Sequence, residues 1–154
     1  MFFRDNTLML LKSRYGTMDE IQSTLALYGI TVDLLCNAAF QCLPNIPAQS
    51  KPQLLNERIN RALRDQNVAV LITGAILLED TLINKDPTSV YASDPLWLLA
   101  DEILGIAIAE LIGGPKAKLV FTHYDQNKPG ILATLGPFLD DAMAGLIAGC
   151  MVAW

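Results

Sequence analysis

One histidine, His123, occurs in 154 residues, which excludes a histidine-rich zinc or copper centre. The three cysteines, Cys36, Cys42 and Cys150, lack metal-ligand spacing and are odd in number, so they read as buried or free thiols in a reducing compartment. Charged residues make up 18% of the chain, below the usual quarter. Basic residues are outnumbered 11 to 16, for a net charge of −5, which argues against a nucleic-acid partner. The one basic cluster, Arg58, Arg61 and Arg64, reads as a solvated helix face. No uninterrupted apolar run reaches the roughly 18 residues of a membrane span. Val68 to Leu78 stops at Glu79-Asp80, and the apolar start Met1-Phe2-Phe3 meets Arg4-Asp5 too soon for a leader. The expectation is a cytoplasmic protein with no membrane span.

What the chain has in excess is apolar side chains, 52% of the total. Residues 1–154 suit a single compact domain with a sizeable core. The surplus apolar surface predicts a homo-oligomer, a dimer or tetramer.

Helical punctuation recurs along the chain. A short helix is expected within residues 1–16. Thr17 with Glu20 forms a capping-box pattern, and Gly29 stops the helix it opens. Thr31 caps a helix that runs to Leu43-Pro44, and Ser50 caps another with Pro52 in its first turn. Leu55, Ile59, Ala62 and Leu63 form that helix's apolar stripe. Three very apolar helices follow: Val68 to about Asn84, one from Ser93-Asp94-Pro95 to Ile112, and Ala142 to Val152 after Asp140-Asp141. Between the last two, Lys116 to Thr122 reads as extended or one helical turn, and His123 to Gly130 as a loop. The fold class is all-α, with three very apolar core helices surrounded by amphipathic ones.

Those three helices carry the chemistry. Asp101-Glu102 interrupts a stretch apolar on every face, and a buried carboxylate costs several kcal/mol unless compensated. A basic partner, a network of donors or a bound cation would supply that. Glu79-Asp80, Asp140-Asp141 and the loop residue Asp125 add to the count, while only Lys116, Lys118 and Lys128 lie near them in sequence. Carboxylates from several helices suit Mg²⁺ or another hard divalent cation. Beside a lysine they also suit phosphoryl chemistry, in which a metal activates water and the ammonium contacts phosphate. The plainer readings are an N-cap at Asp140, a solvent-facing helix end at Glu79-Asp80, and a structural salt bridge at Asp101-Glu102. Glu110 falls on the opposite face from Asp101. His123 is left out of the core site as a hydrogen-bonded structural residue. Gly145 and Gly149, four apart, suit close packing against the Asp101 helix.

Asp101-Glu102-Ile103-Leu104-Gly105, then Tyr124-Asp125-Gln126-Asn127-Lys128-Pro129-Gly130, then Leu139-Asp140-Asp141-Ala142-Met143-Ala144-Gly145 resemble three signature blocks of the phosphatidylglycerophosphatase A superfamily. The resemblance covers roughly residues 68–150, and Thr73-Gly74 followed by Glu79 is similar to an earlier block of its shorter, soluble members. Where membrane-bound members have a Pro-Trp-Pro-like sequence after the lysine, this chain has Lys128-Pro129-Gly130-Ile131-Leu132. That wording is most similar to the soluble archaeal-type alpha-ribazole-5′-phosphate phosphatases, which act in cobalamin nucleotide-loop assembly. The resemblance implies an all-helical, Mg²⁺-dependent phosphatase of a small phosphomonoester. Asp101, Glu102, Asp125 and Asp141 would hold the metal or orient its water, with Asp140 and Glu79 as outer ligands. Lys128 would contact the phosphate, and Gly130 and Gly136-Pro137 would shape loops over it. The alternatives are a phosphatidylglycerophosphate phosphatase and a non-catalytic metal-binding oligomeric module. A helical nucleotide pyrophosphohydrolase needs Glu pairs three apart on one helix, and none is present.

Overall fold

The computed structural model describes residues 18–42, 52–93, 95 and 97–152. The expected helix within 1–16 and the caps at Thr17 and Ser50 lie outside them. Among the described residues there are seven α-helices and no strands, so the chain is all-α. They are α1 (Met18–Leu27), α2 (Val32–Cys42), α3 (Pro52–Ala62), α4 (Gln66–Leu78), α5 (Ala100–Gly113), α6 (Ala117–Asn127) and α7 (Pro137–Val152).

α7 is the hub. Residues 137 to 151 are buried on every side, as the unbroken apolar run Ala142 to Met151 requires. α5 packs along it through glycines. A Cβ on Gly145 would overlap the Gly105 carbonyl oxygen, and one on Gly149 would lie 2.6 Å from Ile112 Cβ. The expected tight packing of the Gly145/Gly149 face against the Asp101 helix is therefore observed. α4 buries Val68, Ile72, Ala75 and Ile76, a stripe at helical spacing.

Three boundaries differ from the expectation. Asp125 is not on a loop: α6 runs from Ala117 through Asn127. Its buried stripe Ala117, Phe121 and Tyr124 continues across the polar stretch, and tertiary burial overrides the local polarity that suggested a loop. α5 starts at Ala100 rather than at Ser93-Asp94-Pro95, because Val90–Ser93 form a 3₁₀ turn and the Leu98 N–H bonds the Pro95 carbonyl at 2.8 Å. α7 starts at Pro137, so Asp140 lies a turn inside the helix and is not its N-cap.

The helix of α4 runs on past Glu79-Asp80 to Asn84, as expected. It widens into a π-helical turn over Glu79–Asn84, closed by the Lys85 N–H on the Asp80 carbonyl at 3.2 Å. The continuous helix Gln66–Asn84 thereby reaches 19 residues, long and apolar enough to cross a membrane by length and composition alone. Its stripe from Val68 to Glu79 packs into the domain.

Candidate functional site

The site forms where the end of α4, the start of α5, the end of α6 and the start of α7 meet. Each supplies a carboxylate. Glu79, Asp101, Asp140 and Asp141 are all buried, each 5% exposed or less, and Asp125 is half-buried. Asp101 lies within charge-interaction range of both Glu79 and Asp141. Asp125 and Asp141 lie within hydrogen-bonding reach of one another. Burial first, then Asp140, Asp125 and Asp101, hold the Asp141 carboxyl far above the usual carboxylate range.

Lys128 is the cation of the cluster. Its ammonium donates to Asp140 Oδ2 at 2.5 Å and lies 3.9 Å from Asp125 Oδ1. It reaches both because it sits just past the end of α6 in the left-handed conformation, φ +40°. It is the one non-glycine with positive φ among the described residues. Pro129 then prevents the helix from resuming, and Gly130 turns back at φ +55°. A Cβ on Gly130 would lie 3.3 Å from Ala38 and from the Gln41 side chain on α2. The buried Tyr124 hydroxyl donates to the Ala39 carbonyl at 2.8 Å and ties the same segment to α2.

Backbone N–H groups serve two of the acids. Asp101 Oδ1 accepts from the Glu102 N–H at 2.8 Å. Glu79 Oε2 accepts from Phe138 at 3.0 Å and Leu139 at 3.3 Å. Burial raises the Glu79 carboxyl, the two N–H groups act against that, and Asp80 and Asp101 add to the rise. The Asp80 carboxylate is held by the Tyr28 hydroxyl at 2.6 Å and the Asn84 amide at 2.8 Å.

The predicted residues divide on position. Glu79, Asp101, Asp125, Asp140, Asp141 and Lys128 are brought together, with Gly130 two residues beyond the lysine. Glu102 is exposed on α5 and takes no part in the charge interactions above. Glu110 is exposed, as its place on the helix requires. His123 is exposed, with its ring 3.1 Å from the Cys42 carbonyl, away from the acids. Sequence reasoning missed Tyr28 and the use made of the Phe138 and Leu139 amides, because both depend on contacts across at least 52 residues.

The donor set consists of carboxylates alone, which fits a hard divalent cation. Five carboxylates face one ammonium, so the cluster keeps an acidic excess. Among the described residues no three such groups converge on one point as they stand.

A family model for phosphatidylglycerophosphatase A matches residues 15–154. The chain belongs to the phosphatidylglycerophosphatase A family. An uncharacterized protein of Methanocaldococcus jannaschii is 43% identical over 101 residues, 63% of this chain and 80% of that protein. Three solved structures share the fold at 21% identity. A Bacillus stearothermophilus protein of unknown function has a TM-score of 0.71, covering 88% of this chain and 91% of its own. The low temperature requirement C protein of Listeria monocytogenes has 0.70, with 91% and 95% covered. The Bacillus subtilis protein ypjQ has 0.67, with 89% and 94% covered. Phosphatidylglycerophosphatase A family membership agrees with the three signature blocks, and those blocks supply three of the site's four helix ends, α4 being the fourth.

Proposed function

We propose that this member of the phosphatidylglycerophosphatase A family is a divalent-metal-dependent phosphomonoesterase of the cytoplasm, acting on a small substrate such as alpha-ribazole-5′-phosphate. The carrying observation is the acidic excess: Glu79, Asp101, Asp125, Asp140 and Asp141 packed together with Lys128 as their cation. Asp101, Asp125, Asp140 and Asp141 would hold Mg²⁺, and Glu102, exposed beside Asp101, is available to its outer sphere. The ion supplies a Lewis acid and an acidified water. The chain's own part is charge and proton handling. Lys128 offers its ammonium to a phosphate oxygen as a point charge. A carboxylate of the Asp125–Asp141 pair left free of the ion would take the proton of the attacking water and return it to the leaving alcohol oxygen as the P–O ester bond breaks.

Phosphate release from small phosphomonoesters and from phosphatidylglycerophosphate, with Mg²⁺ and with EDTA, tests this. The expected result is release from the small ester, lost in EDTA and lost in Asp125→Ala. Metal binding without release from any ester would leave a non-catalytic module instead. The second reading, a lipid phosphatase, is favoured by the 19-residue apolar helix Gln66–Asn84. Release from the lipid alone, in protein that needs detergent, would select it.

A further inference from the structure

We propose that Glu79 and Gly136 form a positioning device that caps α7 from outside and thereby sets where Asp140 and Asp141 stand. This rests on the phosphatase reading only for its effect on turnover; the cap itself is a matter of geometry. A helix begins with N–H groups that have no partner inside it, and a Ser, Thr, Asp or Asn at the N-cap normally accepts from the second and third helical residues. α7 starts at Pro137, which has no N–H, so its first free donors are Phe138 and Leu139. The N-cap position falls on Gly136, whose carbonyl accepts from the Asp140 N–H at 2.9 Å but which has no side chain to give. Glu79 Oε2 takes the place of that missing side chain, at 3.0 Å from Phe138 N and 3.3 Å from Leu139 N.

The two roles compete for one space. A Cβ at Gly136 would overlap Glu79 Oε1, so a side chain there would displace the Glu79 carboxylate from its present place. Glu79 is held in place in turn by the π-helical turn that it opens. Asp80 fastens this turn through the hydroxyl of Tyr28, just past α1, and through Asn84. Single π turns within α-helices occur frequently at functional sites. The next residues after the two capped amides are Asp140 and Asp141. A cap local to α7 would satisfy the amides without linking the start of the helix to α4. A cap delivered from the end of α4 ties α7's start to the segment beside Asp101. Glu79 therefore acts through the α7 backbone, as a positioning residue and not as a metal ligand.

Glu79→Gln keeps an acceptor oxygen and Glu79→Ala removes it. Amide hydrogen exchange at Phe138 and Leu139, Mg²⁺ titration by calorimetry, and kcat and KM for phosphate release are measured on both and on the parent chain. Expected for Glu79→Gln are protected amides, Mg²⁺ affinity within about 3-fold of the parent, and kcat largely retained. Expected for Glu79→Ala are amides exchanging about 10-fold faster, as loss of a cap implies, and a fall in kcat with KM little changed. Should Glu79→Ala fail to fold, the Gln variant alone decides. A tenfold or larger loss of Mg²⁺ affinity in Glu79→Gln with the amides still protected would overturn the proposal and make Glu79 a ligand. Unchanged exchange in Glu79→Ala would also overturn it. A parent chain with no phosphatase activity would sink the functional reading, while the exchange data would still decide the cap.

Discussion

At the scale of single residues, the site's acids are held at a cost that their chemistry explains. Asp141 is 5% exposed and faces Asp140, Asp125 and Asp101. Such a group is neutralised or compensated, never left charged alone. Asp141→Asn should therefore stabilise the metal-free fold at neutral pH by about 1 kcal/mol, a rise of roughly 2–4 °C in melting temperature. The same change should abolish phosphate release. Calorimetric melting in EDTA beside the release assay checks both, and a lowered melting temperature would show that the carboxylate supports the fold. The presence of compensation was legible in Asp101-Glu102, an acidic pair inside an apolar helix. Its form was not: Lys128 on Asp140, the α7 N–H groups on Glu79, and the close approach of Asp125 to Asp141 all join residues far apart in the chain or on separate helices.

At the scale of elements, α5 and α7 approach closely enough that glycines replace side chains between them. Gly145→Ala places a methyl on the Gly105 carbonyl and should cost about 3 kcal/mol through overpacking. Gly74→Ala, in the middle of α4 with nothing within 4 Å of its Cβ, should instead gain about 0.5–1 kcal/mol by restricting the unfolded chain. Chemical denaturation of the two variants gives opposite shifts in midpoint if the packing is as described. The close approach was readable from the four-residue spacing of Gly145 and Gly149. The extent of α6 was not. Its polar run His123-Tyr124-Asp125-Gln126-Asn127 looks like a loop until Phe121 and Tyr124 are known to be buried on one face. The π-helical turn at Glu79 left no mark in the periodicity either; Asp80 in it is held by Tyr28, 52 residues away in the chain.

At the scale of the whole molecule, the apolar surplus is only partly absorbed by the core. Leu99 just before α5 and Ile103 on it are 57% and 63% exposed, and Val70 on α4 is 57% exposed. About 28% of the most apolar stretch of Gln66–Asn84 is buried within this chain. A second copy of the chain is the proposed cover, since net charge −5 and the nearby Glu102 and Glu110 disfavour an anionic bilayer. Light scattering should give a mass that is a multiple of 16.8 kDa, and Ile103→Glu should return it to one chain. A monomeric parent chain would remove the oligomer.

By itself the sequence determined the helical class and the apolar cores of the longest helices, and it singled out the acids and the lysine that the fold brings together, Glu102 apart. Helical periodicity and the cost of burying charge are properties of residues near one another in the chain. Only the tertiary structure decided that Glu102 faces out while Asp101 faces in, that Asp125 rides on a helix, and that Glu79 is spent on the amides of α7. Those outcomes depend on which helix faces meet, and that is settled by contacts between residues far apart in the chain.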